Sequence, residues 1–345
     1  MGEGYEGLAA LPPSRSWMGV IVQPSANREL TPIQASLAPE GASSRYPSPI
    51  EGEEGSLPID GQPIMRARMP RMFIFGLGYS AAFIAQALAA RGWEVVSTGR
   101  SGTLSFEDEG NVRFALADAD HVLSSVPPGG EGRDPVLDRY GAMLAGKALS
   151  YLSSTGVYGD TQGAWVDESA PTGRGRRTAR AQADAAWLER DARVYRLPGI
   201  YGPGRSVLER VLEGRAHRLA LPDQVFSRVH VADIVSGVIA GIDAAPGAYN
   251  LADDLPCSQN LLVEEACRLL GLAPPPLQTL DEAGLSPMAR GFYAENRRVA
   301  NGKAKRLLGW TPRYPDYAAG LRALSATIRP TVASVAPVAA SSDQR

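Results

Sequence analysis

The stretch Met72-Phe73-Ile74-Phe75-Gly76-Leu77-Gly78-Tyr79-Ser80-Ala81 decides the fold. Four apolar residues run into a glycine-spaced turn and then into an alanine-rich segment of high helix propensity, which reads as strand, turn and helix. Gly76 permits the tight turn, and Gly78 clears a path for phosphate oxygens to approach backbone amides. Ala81 lets the helix pack close to the strand, so the N–H groups of its first turn converge on an anion. The pattern is a dinucleotide-binding fingerprint with alanine in the third position. Its cofactor-binding candidates are Gly76, Gly78, Tyr79, Ser80 and Ala81.

Context on the C-terminal side supports that reading over an ordinary strand-to-helix turn. Ala81 to Arg91 continues as a helix, Gly92-Trp93 turns the chain, and Glu94-Val95-Val96-Ser97 forms the second strand of a βαβ unit. This strand runs into Thr98-Gly99-Arg100. An acidic residue there would bind the ribose 2′-hydroxyl of NAD, whereas arginine suits a 2′-phosphate, so Arg100 favours NADP(H) over NAD(H). A solvated loop arginine is the alternative. Thr103 to Ala119 is short and polar and leaves little room for the usual third strand with its crossover helix, which is not placed. His121 to Val126 reads as the fourth strand. Ser125, Val126 and Pro127 at its carboxyl end lie where a dinucleotide crosses a doubly wound sheet. Ala148 to Ser153 makes the next strand.

At 345 residues and 44% hydrophobic content the chain can bury a large core, and one α/β domain with a smaller appendage is expected. A formal net charge of -2 and a pI near 6.0 leave no global basic field. That argues against nucleic acid or an anionic membrane as partner and for a small-molecule ligand. Cys257 and Cys267 have neither metal spacing nor a disulfide framework, and His121, His217 and His230 are scattered, so no metal site is read. Free thiols point to a reducing cytoplasm. Residues 1–70 are rich in Pro, Gly, Ser and Glu and read as a disordered leader, without the basic start and apolar core of a secretory signal. Met65, Met69 and Met72 stand just ahead of the first strand, and a start codon among them is the other reading of the leader. No stretch is long enough to span a bilayer. The tail, 329–345, reads as disordered on composition.

Further motifs follow in order. Ser153-Ser154-Thr155-Gly156-Val157-Tyr158-Gly159 comes after one strand, and Arg196-Leu197-Pro198-Gly199-Ile200-Tyr201-Gly202-Pro203-Gly204 after the next. Then come Arg228-Val229-His230-Val231-Ala232-Asp233-Ile234, Tyr249-Asn250-Leu251-Ala252-Asp253 and Leu308-Gly309-Trp310-Thr311-Pro312. Together they resemble the extended short-chain dehydrogenase/reductases, the NAD-dependent epimerase/dehydratase-like proteins, from about Met72 to Leu324. The resemblance implies an α/β architecture with a Rossmann-type doubly wound, mainly parallel sheet over 71–200. It also implies a smaller C-terminal substrate lobe over 201–328, with a strand returning to the sheet near 248–252. Substrates among nucleotide sugars or other hydroxy and keto compounds are implied too, as is a homodimer formed through two helices flanking the sheet. By the same resemblance, Pro198 and Ile200 join the cofactor-binding candidates. Ser154 takes the position of the catalytic Ser/Thr that hydrogen-bonds the reacting oxygen; a strand-end hydroxyl bonded to backbone is the alternative.

The chain departs from the family at its acid/base pair, Tyr-x-x-x-Lys. Anchoring the helix on Ala183-Asp184, where the family commonly has Ala-Glu, puts Arg176 at the tyrosine position and Arg180 at the lysine position. Arginine offers no acceptor and stays protonated, so Arg176 cannot be the general base. A charged Arg176 could stabilise an oxyanion, and Arg180 could hold the nicotinamide ribose. Tyr158 and Tyr201 are the nearest replacement tyrosines, with Tyr158 the candidate to handle the proton. Both also read as packed structural residues. Arg174, Arg176 and Arg177 open a helix whose dipole disfavours cations, a conflict that a bound carboxylate or phosphate would relieve; a solvated basic loop is the alternative. Asn296 and Arg297 either touch substrate or form structural ion pairs. His230 reads as part of a strand-to-helix signature, and Ile234 to Ile242 as a buried helix. The sequence therefore supports an NADP(H)-dependent reductase or epimerase/dehydratase-like oxidoreductase, or a non-catalytic NADP(H) sensor that has lost the proton donor.

Overall fold

The computed structural model describes residues 68–129 and 132–328; the expected leader up to residue 67 and the expected tail lie outside the described residues. β1 (Arg71–Phe75) leads through the glycine turn into α1 (Tyr79–Ala89), followed by β2 (Glu94–Ser97), α2 (Glu109–Ala117) and β3 (His121–Ser124). Next come α3 (Pro135–Tyr140), β4 (Ala148–Ser154), β5 (Trp165–Val166), α4 (Thr178–Leu188) and β6 (Arg193–Leu197). The chain continues with β7 (Gly199–Tyr201), α5 (Val207–Leu212), β8 (Arg218–Leu219), β9 (Arg228–His230), α6 (Val231–Ala240) and β10 (Gly247–Asn250). It finishes with α7 (Gln259–Leu270), β11 (Leu277–Gln278), α8 (Pro287–Phe292), β12 (Arg298–Val299), α9 (Gly302–Leu308) and α10 (Tyr317–Ser325).

Six strands form one parallel sheet in the order β10-β6-β4-β3-β1-β2. Because β2 and β3 flank β1 on opposite sides, the switch point of the sheet falls beside β1, where Rossmann-type folds bind their ligands. The expected fourth strand is thus the third in this sheet. Between Ser97 and His121 there is room only for a loop and α2, and β2 is left as an edge. The returning strand near 248–252 is β10, paired with β6 from Gly247 to Asn250.

Alternation along the strands divides the core between the two faces of the sheet. Ile74 lies in one cluster with Ile84 and Leu88 of α1, Ile234 and Val238 of α6, and Trp310. Phe73 and Phe75 lie in the other, with Tyr140, Tyr151, Trp187 and Val194. Strands buried on both faces are continuous apolar runs, as the sequence of β1 shows. Each buried aliphatic side chain contributes about 1.5–3 kcal/mol, so burial rather than propensity holds these short elements. A separate cluster around Leu208, Val263, Cys267 and Leu321 binds α5, α7 and α10 together. Among the described residues no helix is long and apolar enough to cross a membrane.

Candidate functional site

The parallel strands present their carboxyl ends at one edge, and the glycine turn lies there. Gly76 has φ +80°, and a Cβ on it would meet Val126 Cγ2 at 2.9 Å. Its N–H donates to Thr98 Oγ1 at 3.1 Å, the Leu77 N–H donates to the Thr98 carbonyl at 2.8 Å, and Ser125 Oγ donates to the Gly76 carbonyl. The ends of β1, β2 and β3 are laced together by these bonds, which brings Gly76, Ser125, Val126 and the start of the Arg100 loop to one place. Gly78 is different: it has ordinary extended geometry, φ -85° and ψ -171°, and a Cβ there would meet nothing within 4 Å. No side chain caps α1 at Gly78. Its first-turn N–H groups are left without a side-chain cap, the arrangement an anion requires.

The other cofactor candidates divide by role. Ser80 and Ala81 are buried in the first turn of α1, Ala81 with its methyl in the core, so Ala81 can reach a phosphate only through its backbone. Tyr79 donates its hydroxyl to the Pro203 carbonyl at 3.1 Å, with the Arg205 guanidinium 5.5 Å from its ring centroid, and burial pushes its pKa up to about 12. It ties α1 to the 202–205 loop. Gly99, at φ +125°, brings the end of β2 against the turn. Arg100 follows, exposed and without an ion pair among the described residues. Pro127 is exposed beyond β3; Pro198 and Ile200 follow β6, and Ile200 pairs with Val229 between β7 and β9.

Two strand positions away, Ser154 ends β4. Its Oγ accepts the Gly156 N–H at 3.1 Å and lies 3.5 Å from Arg177 Nη1. Arg177 also covers the ring of Phe292, 5.4 Å from guanidinium carbon to centroid. Arg180, in the first turn of α4, donates to the Tyr151 hydroxyl at 2.8 Å, and Tyr151 stacks on Trp187 at 5.4 Å. Burial, then the neighbouring charges of Arg180 and Arg176, hold Arg177 below the usual arginine pKa.

Arg176 does not face Ser154. Its backbone N–H donates to Glu295 Oε1 at 3.1 Å, and its Nε lies 3.4 Å from the same oxygen. The helix begins only at Thr178, so Arg177 occupies its mouth and Arg176 turns outward. The arginine beside Ser154 is therefore Arg177 and not Arg176, on which the oxyanion expectation was placed. Burial raises the Glu295 pKa, but hydrogen bonds from Arg176 and Arg297 and their charges outweigh it and leave the carboxylate below its ordinary value. Arg297, at 3.0 Å from Glu295 Oε2, and Asn296, which accepts the Val225 N–H and donates to the Asp223 carbonyl, are structural.

Tyr158 is also withdrawn from the site. The turn Thr155–Tyr158 sends its ring into the core, where the hydroxyl donates to Asn250 Oδ1 at 2.8 Å and accepts from Arg196 Nη1 at 3.0 Å. Arg196 holds Asp184 through two bonds of 3.1 and 2.7 Å, and Asp184 accepts from Ser153 Oγ at 2.6 Å. Both hydroxyl functions are occupied, and burial pushes the Tyr158 pKa up to about 12, so it cannot serve as the site's proton donor. Tyr201 lies in the core against His230, with ring centroids 5.1 Å apart and burial raising its pKa. His230 Nδ1 accepts the Ala232 N–H at 3.1 Å and caps α6; burial and the charge of Arg313 lower its pKa to about 4. Among the described residues no cluster of His, Cys, Asp or Glu could hold a metal.

Tyr151 and Thr98 are the neighbours of the candidate site that sequence reasoning passed over. Alternation with Ser153 puts Tyr151 on the α4 face of the sheet, and that period-two pattern was the available signal. The protein is 37% identical to a functionally unknown conserved protein from Silicibacter pomeroyi DSS, over 75% of this chain and 99% of that one, with a TM-score of 0.66. The human epimerase family protein SDR39U1, solved with NADPH, shares 15% identity over 74% of this chain and all of its own, with a TM-score of 0.60. The protein has the fold of the NAD-dependent epimerase/dehydratase family. Two curated relatives are similar in sequence. Protein YeeZ of Escherichia coli strain K12 is 28% identical over 72% of this chain and 97% of its own length. The 3-diazoavenalumate denitrifying reductase of a Streptomyces species is 34% identical over 41% of this chain and 48% of its own. No family model matches.

Proposed function

We propose that the protein is an NADP(H)-dependent oxidoreductase, reductase-like or epimerase/dehydratase-like, acting on a carbonyl or hydroxyl group of a small molecule held at Ser154. The observation that carries this reading is the open, uncapped mouth of α1 at Gly78, set against Ser125 and Val126 at the switch point of the sheet. The NADPH in the human epimerase family structure and the reductase named among the relatives point the same way. Free, buried Cys257 and Cys267 accord with a reducing cytoplasm, where we place the protein. A homodimer through helices flanking the sheet belongs to the same reading.

The bound cofactor would supply or accept hydride at its nicotinamide ring. The backbone of 76–81 would hold the pyrophosphate, Arg100 the 2′-phosphate and Arg180 the nicotinamide ribose. Ser154 would fix the substrate oxygen beside Arg177, whose charge would favour negative charge developing there. Arginine does not release its proton at working pH, so that oxygen would gain its proton from water. A second reading, a cofactor sensor without turnover, draws on the burial of Tyr158 away from Ser154.

A fluorescence titration with NADPH and NADH tests the reading, followed by a turnover screen over aldehydes, ketones, oxo acids and sugar nucleotides. Tight NADPH binding with turnover supports the enzyme. Tight binding without turnover supports the sensor, and binding of neither cofactor ends both.

A further inference from the structure

The basic residues around Ser154 fall into two groups. Arg176 and Arg297 share the carboxylate of Glu295 at 3.4 and 3.0 Å. Arg177 and Arg180 meet only hydroxyls and rings: Ser154 Oγ at 3.5 Å, the Tyr151 hydroxyl at 2.8 Å and the Phe292 ring at 5.4 Å. Neither has a carboxylate partner among the described residues. Two cations drawn partly out of water beside one another are unfavourable unless an anion compensates them. Their planar donor forks suit an oxyanion with two oxygens. The cofactor's pyrophosphate is served elsewhere: β3 separates β4 from β1, so the mouth of α1 lies about 10 Å from Ser154.

Distance selects the anion. A reacting oxygen on Ser154 and an anion oxygen on Arg177 would sit on groups 3.5 Å apart. Oxygens on adjacent carbons are themselves about 3 Å apart, whereas a phosphate ester interposes two further bonds. We propose that the substrate is a 2-oxo or 2-hydroxy carboxylic acid, its carboxylate on the fork of Arg177, with the charge of Arg180 beside it, and the oxygen of the neighbouring carbon on Ser154. The role of Ser154 rests on the oxidoreductase reading above. Phe292, 50% exposed and packed on Arg177, gives the rest of the acid an apolar wall.

The test uses the full chain saturated with NADP+, a state in which no hydride can pass to an oxo acid, so binding alone is read. Phenylpyruvate, its methyl ester and phenyl phosphate are titrated by calorimetry. Phenylpyruvate should bind at least about tenfold more tightly than its ester, the effect of one charge-assisted contact. Arg177→Met should abolish that preference, while Arg176→Met should keep it. Equal affinity for acid and ester, binding of neither, or an unchanged preference in Arg177→Met overturns the proposal. Tighter binding of phenyl phosphate overturns it in favour of a phosphorylated substrate. The acid-to-ester comparison needs no variant, so poor folding of Arg177→Met cannot decide the matter. If NADP+ fails to bind but the apoprotein still prefers phenylpyruvate to its ester, the cofactor reading falls and the carboxylate site stands.

Discussion

Gly78→Ala adds one methyl group at the mouth of α1 and asks nothing of the backbone, which already sits at φ -85°, ψ -171°. Beyond its own chain neighbours, the new carbon would meet no protein atom within 4 Å. Folding should therefore be unharmed, and a less flexible unfolded chain should add up to about 0.4–1 kcal/mol of stability. Binding is another matter, because the methyl would stand where phosphate oxygens must approach the first-turn N–H groups. Losing one hydrogen bond to a charged group costs about 1.5–3 kcal/mol. That corresponds to a rise of about 10- to 100-fold in Kd. NADPH fluorescence titration and thermal unfolding, run on the same sample, should show weak binding and an unchanged or slightly raised Tm. Gly76→Ala is the contrast: φ +80° and a 2.9 Å approach to Val126 Cγ2 should lower both affinity and Tm, with a backbone cost of about 1–2 kcal/mol. A Gly78→Ala protein that binds NADPH as tightly as the wild type would refute the placement of the pyrophosphate.

Arg100→Asp should weaken NADPH by at least about tenfold and leave NADH nearly unchanged, because only the former carries the 2′-phosphate; a parallel loss for both would remove Arg100 from cofactor choice. Ser154→Ala should lower turnover by about 100-fold while NADPH affinity stays constant, and steady-state rates near wild type would free Ser154 of its role. Arg196→Met strands the Asp184 carboxylate, 1% exposed, and should cost about 3–5 kcal/mol in urea unfolding; a cost under about 1 kcal/mol would contradict the buried network. Asp253, 2% exposed, has its pKa raised to about 8 by burial, so it takes up a proton on folding at neutral pH. Its contribution is therefore greatest below the ordinary carboxylate pKa and is lost as pH rises toward 8, by at most about 1.4 kcal/mol per pH unit. Thermal unfolding of Asp253→Asn should fall less steeply than wild type between pH 5 and 8, and parallel curves would show that Asp253 is ionised in the fold.

What the sequence revealed, and where it failed, follows from the range of the forces involved. β1 and its turn were legible because burial on both faces leaves a continuous apolar run and the glycine spacing is local. β2 was read at Glu94–Ser97, the bounds it has in the fold. Shortage of residues between Thr103 and Ala119 left the usual third strand unplaced, and the structure has α2 as the one regular element there. Arg176 was misplaced because the segment 173–177 has no periodicity from which to count, and one residue decides whether a side chain turns to Ser154 or to Glu295. The two readings of Tyr158, proton handler or packed residue, could not be separated for a related reason: a tight turn after β4 rotates its ring back to Arg196 and Asn250, partners 38 and 92 residues away. The pairing of Arg180 with Tyr151 depends on how α4 lies across the sheet, which no local pattern encodes.

The two ends of the sheet have a consequence for how copies of this chain can meet. At one end the outward N–H and carbonyl of Ser97 are both engaged by Thr103 Oγ1, and Leu104 N–H takes the same carbonyl. At the other, the outward N–H of Asn250 is held by Glu168 Oε1 at 2.7 Å. Each margin is a strand of four residues with a backbone partner already supplied from within the chain. A neighbouring strand would have to displace those groups before it could pair, which is how natural sheets avoid templating their own growth. Recognition between copies is thereby steered away from strand addition and toward helices and loops, and a partially unfolded molecule that lost only the 102–104 or 168 contact would expose the first adhesive edge.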